Sequence, residues 1–169
     1  MAGPVALSVY GRRMLLERDV FRKGLRYAML VWTAPPSTKE DPLLLGTRSH
    51  GGETRPSAGA PVVYEIYKNA TNAMPGAVTV GRTPNNDLVI EDNSVSRFHG
   101  YLVQAPNKVW SIVDADSTQG TSLNGGKLAP KSPAALKDQD VLKLGDVTLT
   151  YFGPEAFFTY LDQMAHSSR

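Results

Sequence analysis

Cysteine is absent from all 169 residues, which excludes disulfides, thiolate metal sites and thiol chemistry. Its absence agrees with a reducing compartment, and a cytoplasmic location is the expectation. Histidine is scarce, at three residues, so metal sites have little to draw on. His50 sits in the run Ser49-His50-Gly51-Gly52 with no second ligand at a metal-binding spacing. It reads as a solvated loop residue, and neither a metal nor a cofactor is expected. Long apolar runs are missing as well. A stretch such as Ala28 to Trp32 is far too short to cross a bilayer, and Arg12 and Arg13 are not followed by an apolar segment and a small-residue cleavage site. The expectation is a soluble chain with no transmembrane segment. Net charge is low, at +2, and unevenly spread. Residues 1–27 carry six basic and two acidic side chains, whereas residues 61–152 carry eight basic and nine acidic. The near-neutral body lacks the basic face of a nucleic-acid-binding domain, so no nucleic acid partner is expected.

What the chain does contain is short β-type runs between turns, with a helical pattern at either end. Residues 8–23 predict a helix: Leu16 and Val20 stand four apart, as do Phe21 and Leu25, while Arg12, Arg13, Arg18, Arg22 and Lys23 fall on other faces. Ser8 is a candidate cap and Gly24 a candidate stop. Residues 1–27 thus form a basic helical extension, docked on the body or offering a surface to a partner or to anionic lipid. Tyr27 to Thr33 is a β-type run ended by Pro35-Pro36. From about 34 to 60 the chain is rich in Pro, Gly, Ser and Thr, which predicts a long flexible insertion, with Leu43-Leu44-Leu45 able to tuck against the body.

After Pro61 come further strand patterns: Val62 to Tyr67, Ala77 to Val80, Leu88 to Ile90, Phe98 to Gln104, Lys108 to Val113, Thr121 to Leu123 before an Asn124-Gly125 turn, then Val141 to Leu144 and Val147 to Phe152. Short strands at this spacing predict an all-β, two-sheet antiparallel β-sandwich over residues 28–152. Residues 153–169 predict a C-terminal helix, with Pro154 in its first turn, Glu155 complementing its dipole, and Phe157, Leu161 and Met164 as packing residues.

The chemistry is concentrated between Val80 and Gly125. A phosphate dianion is strongly hydrated, and a protein that binds it must replace water with charge-assisted and main-chain hydrogen bonds. Arg82 follows a glycine at a strand end, from which its guanidinium reaches a loop rim. Ser96 and Thr118 bring short hydroxyls from two other turns, Arg97 brings a second cation, and His99 is spaced to tie the Ser96 turn to the sheet. Each residue alone has an ordinary reading as an exposed arginine, a turn hydroxyl or a core histidine.

The ordered set is more specific. Gly81-Arg82, then Ser96-x-x-His99, then Ser117-Thr118-x-Gly120-Thr121, then Asn124-Gly125 resembles the signature of the forkhead-associated (FHA) domain. The resemblance covers about residues 61–152, with Tyr27 to Thr33 as an earlier strand. It implies a sandwich of about eleven strands whose loops at one end bind a threonine-phosphorylated protein or peptide, in phosphorylation-dependent signalling. By that resemblance Arg82 is the principal phosphate-binding arginine, Ser96 and Thr118 are phosphate-contacting hydroxyls, and Arg97 is an assisting neighbour. His99, Thr121 and Asn124 hold the loops in shape, and Gly81, Gly120 and Gly125 supply the turns. Gln119 stands where the family usually has the asparagine whose amide grips the ligand main chain, so the same amide chemistry is displaced by a methylene. Asp92 and Asp116 favour a basic or polar residue after the phosphothreonine.

Two catalytic readings compete and fail. Ser96, His99 and Asp114 or Asp116 supply the residue types of a hydrolytic trio, but Ser96 lacks the Gly-x-Ser-x-Gly setting of a nucleophile elbow. Gly120 to Gly125 has the spacing of a nucleotide-binding loop, but Gly126 stands where that loop requires lysine. No enzymatic activity is expected. The alternative to phosphate reading is an FHA-like scaffold or structural subunit that binds its partner independently of phosphate, through the terminal helices.

Overall fold

The computed structural model describes residues 3–33, 59–69 and 74–167. Most of the insertion expected at 34–60, with His50 and the Leu43-Leu44-Leu45 run, lies outside the described residues. In chain order the elements are β1 (Val5–Ala6), α1 (Leu7–Leu16), α2 (Arg18–Gly24), β2 (Ala28–Trp32), β3 (Val62–Ile66), β4 (Val78–Gly81), β5 (Leu88–Val89), β6 (Gly100–Gln104), β7 (Trp110–Asp114), β8 (Thr121–Leu123), β9 (Gly126–Lys127), β10 (Ala134–Ala135), β11 (Val141–Leu144), β12 (Val147–Phe152) and α3 (Pro154–Ser167).

The strands form two stacked sheets. One has the order β1-β3-β2-β12-β11-β8-β9 and the other β10-β7-β6-β4-β5. Every pairing is antiparallel except β4 with β5, where Val80 and Gly81 run parallel to Leu88 and Val89. The two-sheet antiparallel sandwich read from the strand pattern thus carries one parallel pair at a sheet edge among the described residues. The pair arises because the chain leaves β4 at Arg82, loops through Thr83 to Asp87 and returns in the same direction along the sheet edge.

Alternation along β2 explains the layering. Ala28, Leu30 and Trp32 point into the space between the sheets, with Val80, Leu102, Ile112, Leu142, Leu144 and Leu149. Met29 and Val31 point the other way and meet Leu7, Tyr10, Met14, Phe21, Phe157, Phe158 and Leu161 of the helices. A strand covered on both faces reads as an unbroken apolar run, which is what Ala28 to Trp32 is. The protein therefore has three layers: a five-stranded sheet, a seven-stranded sheet and a helical layer on the outer face of the latter.

The N-terminal helix differs from its expected form. It is two helices, broken at Glu17, whose φ of −138° is non-helical. Leu16 and Val20, expected to pack, are 76% and 67% exposed, and the buried side chains are Leu7, Tyr10, Met14 and Phe21. The break lets Phe21 turn inward to meet Tyr10 edge-on at 6.4 Å and Phe158 at 6.4 Å. Ser8 is not the cap; no side chain caps α1, and the Leu7 N–H donates to the Pro61 carbonyl at 2.9 Å instead. In α3, Phe157 and Leu161 are buried as expected, whereas Met164 is 42% exposed.

Candidate functional site

Three of the four sequence blocks meet at one end of the sandwich, on the loops β4–β5, β5–β6 and β7–β8. A concave, solvent-open rim there is lined by Arg82, Ser96, Arg97, Phe98, Asp116, Ser117 and Thr118. Arg82 leaves the end of β4 directly after Gly81. A Cβ on Gly81 would stand 2.2 Å from the Arg97 carbonyl oxygen and 2.6 Å from Asn86 Nδ2, so the strand end approaches the next loop this closely only as glycine. The Arg82 main-chain N–H donates to the Ser96 carbonyl at 3.0 Å, and its Nε donates to the Val95 carbonyl at 3.0 Å. These bonds fix the guanidinium at the root of the Ser96 turn, with its terminal nitrogens unbonded among the described residues.

Ser96 Oγ accepts the Thr118 main-chain N–H at 3.1 Å, which ties two loops together and leaves the hydroxyl proton free to donate. Thr118 and Arg97 are exposed on the rim. The rim thus combines two guanidinium groups and three hydroxyls, of which that of Ser117 is committed to Asp114, with one carboxylate, Asp116, among the described residues. Such an arrangement suits a compact oxyanion that takes several charge-assisted bonds at once.

A buried polar network sets this geometry. His99 has no solvent exposure. Its Nδ1 accepts the Ser96 main-chain N–H at 3.1 Å, so Nε2 carries the proton and faces the Gly120 carbonyl at 3.2 Å and Thr121 Oγ1 at 3.1 Å. Thr121 Oγ1 donates in turn to Asp114 Oδ2. Asp114 also accepts the Ser117 hydroxyl at 2.6 Å and the Ser117 main-chain N–H at 2.8 Å, while Ser117 Oγ accepts the Gly120 N–H at 3.0 Å. Among the described residues no buried side-chain nitrogen or oxygen lacks a partner.

The ionisation states follow from that network. Desolvation lowers the His99 pKa below 6.5, outweighing the Asp114 charge and the Gly120 carbonyl, so the ring is neutral. Desolvation acts to raise the Asp114 pKa, but hydrogen bonds from Ser117 and Thr121 prevail and hold it below 3.8. Ser96, His99 and Asp114 are therefore not arranged as a hydrolytic trio: the imidazole bonds the Ser96 main chain and not its hydroxyl.

The structure brings Arg82, Ser96, Arg97 and Thr118 together on the rim. Gln119 is exposed beside Thr118 but does not line the concavity. His99, Gly120 and Thr121 lie beneath it. Asn124 is farther off: its Oδ1 accepts the Val141 N–H at 2.8 Å and its Nδ2 donates to Asp140 at 2.9 Å, which holds the β8–β9 turn, where Asn124 and Gly125 both have positive φ. Of the two carboxylates expected near the ligand, Asp116 lines the rim, while Asp92 is turned to the N–H and hydroxyl of Ser94 at 2.9 and 2.6 Å.

Sequence reasoning missed three supports. Asn86, 4% exposed, donates from Nδ2 to the Arg97 carbonyl at 2.7 Å and to the Thr83 carbonyl at 2.9 Å. Ser94 Oγ accepts the Asp146 N–H at 2.8 Å and so links the β5–β6 loop to the β11–β12 turn. Asp114, which the sequence offers only as a member of a hydrolytic trio, accepts from Ser117 and Thr121 and closes the turn beneath the rim. The signal for Asp114 was its spacing, three residues before Ser117, which matches a side chain closing its own turn.

The family model for the FHA domain matches residues 78–145. The chain is 39% identical over 77 residues to an ABC transporter ATP-binding/permease protein of Mycobacterium tuberculosis, a match that covers 46% of this chain and 8% of the transporter. It is 30% identical over 125 residues to the glycogen accumulation regulator GarA of the same organism, covering 70% of this chain and 75% of the regulator. Among solved structures, the N-terminal FHA domain of Saccharomyces cerevisiae Rad53p, in complex with a phosphothreonine peptide, has a TM-score of 0.52 at 18% identity over 79% of this chain and 98% of that one. At this identity the likeness establishes the shared fold. The chain spans a small part of the transporter and three quarters of the regulator. With three of the motif blocks converging on one rim and the fourth holding the β8–β9 turn, these matches identify the chain as a member of the FHA domain family.

Proposed function

We propose that this chain is a phosphothreonine-peptide-binding module that mediates phosphorylation-dependent protein–protein interaction in cytoplasmic signalling, without catalysis. The observation that carries the reading is the convergence of Arg82, Ser96, Arg97 and Thr118 on one open concavity from three separate loops. Arg82 is the main phosphate ligand in this reading, Arg97 adds charge, and Ser96 and Thr118 donate hydroxyl protons. The Gln119 amide contacts the ligand main chain from the edge of the rim. The Rad53p FHA domain was solved with a phosphothreonine peptide, which supports the same ligand class here. Residues 28–152 are the binding domain in this reading, with β1 extending its seven-stranded sheet and α1, α2 and α3 covering that sheet's outer face.

Fluorescence anisotropy with one threonine peptide, phosphorylated and unphosphorylated, tests this directly. A charge-assisted bond contributes about 1.5–3 kcal/mol, so Arg82→Ala is expected to weaken phosphopeptide binding by roughly ten- to a hundredfold, with a thermal melt to show that the variant is folded although the Val95 carbonyl has lost its donor. Equal affinity for the two peptides would defeat the reading.

One observation favours a second reading, phosphate-independent contact through the helices: Leu15, Leu16 and Val20 are all at least 67% exposed on neighbouring turns. A partner held that way would bind the Arg82→Ala protein unchanged and lose affinity on Leu16→Ser with Val20→Ser.

A further inference from the structure

Phe98 is 44% exposed, while Phe21, Phe152, Phe157 and Phe158 are all buried. Its position is not a loose end of the core. Val95 and His99 on either side have no solvent exposure, and the intervening backbone is pinned. The Arg97 carbonyl accepts from Asn86 Nδ2 at 2.7 Å and from the Thr83 hydroxyl at 2.9 Å, and the His99 N–H donates to the Val80 carbonyl at 2.9 Å. The turn thus commits Phe98 outward, where it forms part of the rim. Its ring lies parallel to that of Tyr101 on β6, at 4° and 6.5 Å between centroids. A stacked ring has already lost much of its rotational freedom, so a ligand group meeting it incurs little further ordering cost.

We propose that Phe98 and Tyr101 form an apolar subsite for one aliphatic or aromatic side chain of the bound phosphopeptide, within about three residues of the phosphothreonine. The proposal rests on the phosphate-binding reading of the same rim and adds a selectivity to it. Reach sets the position. Phe98 is two residues beyond Ser96, so their Cα atoms are at most about 7.6 Å apart, and an extended peptide advances about 3.3 Å per residue. A chain anchored by its phosphate at Ser96 therefore passes Phe98 two to three residues away. Charge sets the class. Arg82 and Arg97 share the rim with Phe98, so a cationic side chain stacking on the ring would face two guanidinium groups, whereas an apolar one covers the exposed ring face without that cost.

The test is a phosphothreonine peptide with alanine at the three positions on each side, compared with peptides carrying one leucine or one arginine at each of these positions, all measured by anisotropy. At one position leucine is expected to bind roughly three- to tenfold tighter than alanine. The leucine-to-alanine ratio at that position is expected to fall to about one in Phe98→Ala and to persist in part in Phe98→Leu, which keeps an apolar surface on the turn. A thermal melt of each variant confirms folding, and the Phe98→Leu ratio still reads the subsite should Phe98→Ala be unstable. No leucine preference at any position, a preference that survives intact in Phe98→Ala, or a stronger preference for arginine would overturn the subsite. The phosphate reading fails by a different sign: the alanine parent peptide would then bind equally well without its phosphate.

Discussion

The loop rim lies at one end of the sandwich, the helical layer covers the outer face of its seven-stranded sheet, and the two are held together by different physics. Beneath the rim a set of buried polar side chains, His99, Asp114, Thr121, Asn86 and Ser94, is joined by directed hydrogen bonds between loops. In the helical layer the buried side chains are apolar, with Tyr10 edge-on to Phe157 at 5.4 Å and Phe152 stacked on Tyr160 at 4.7 Å. Charge there stays at the surface, where Arg18 and Arg22 lie over the Phe158 ring at 4.9 and 5.3 Å and pair with Asp162 and Glu155. Hydrogen bonds fix angles, and apolar burial fixes volume. The rim needs angles because it presents donors to a ligand. The helices need only to cover Met29, Val31 and Val63.

The largest effect expected from breaking this division is in the helical layer. Phe157 has no solvent exposure and touches the rings of Tyr10, Phe152 and Tyr160. Phe157→Ala removes that contact and leaves a cavity, at a cost of about 3–5 kcal/mol. The midpoint of urea denaturation is expected to drop accordingly, while phosphopeptide affinity measured well below the transition stays within a factor of two. A parallel loss of affinity would mean that the helical layer and the rim are coupled.

A smaller effect, confined to the rim, comes from pH. His99 is neutral when folded, with its pKa lowered from 6.5 chiefly by desolvation. Below pH 6.5 the unfolded chain takes up a proton that the folded chain does not, so the stabilisation is fully present above 6.5 and is lost as pH falls toward the folded pKa. The slope for one proton is about 1.4 kcal/mol per pH unit. Asp114 shifts in the same sense, but its share is lost only below about 3.8, so the two windows separate. Comparing urea midpoints of the native protein and His99→Gln between pH 7 and 5 cancels other groups. The native curve is expected to fall more steeply, and curves of equal slope would show that His99 is charged in the folded state.

The same contrast explains what could be read from the residues in order. Ser96-x-x-His99 is legible because the imidazole accepts the N–H three residues back, and Asn124-Gly125 because both residues take the positive φ that a tight turn demands. Gly81-Arg82, which serves Val95 thirteen residues on, is legible only within the ordered set. The apolar run of β2 is legible because burial on both faces leaves no polar position. Asn86, by contrast, closes onto Arg97, eleven residues away, and Ser94 onto Asp146, 52 away. Neither pairing leaves a periodic or spaced trace. The break at Glu17 was hidden for a related reason. Residues 8–23 satisfy a helical pattern throughout, and only the aromatic pocket made by α3, more than 130 residues later, selects Phe21 over Leu16 and Val20 as the buried face. Local preference was overridden by tertiary packing.

The smallest effect sharpens the rim itself. Gln119 lies between Thr118, whose N–H is held by Ser96 Oγ, and Gly120, whose φ is +82° and whose N–H is held by Ser117 Oγ. Its backbone is therefore fixed on both sides, and only the side-chain length decides where the amide reaches. Gln119 is exposed, and a glutamine has one more rotatable bond than an asparagine to order on binding, at a cost of about 0.5 kcal/mol or somewhat more. Gln119→Asn removes that bond and draws the same donor and acceptor back toward the loop. If the amide grips the ligand main chain, the substitution is expected to tighten phosphopeptide binding by about two- to fivefold, with an unchanged melting temperature because the side chain supports nothing in the fold. Weaker binding would mean that the longer reach is used and that the ligand backbone lies farther from this loop. No change would remove Gln119 from the binding surface and leave the contact to Arg82, Ser96, Arg97 and Thr118 alone.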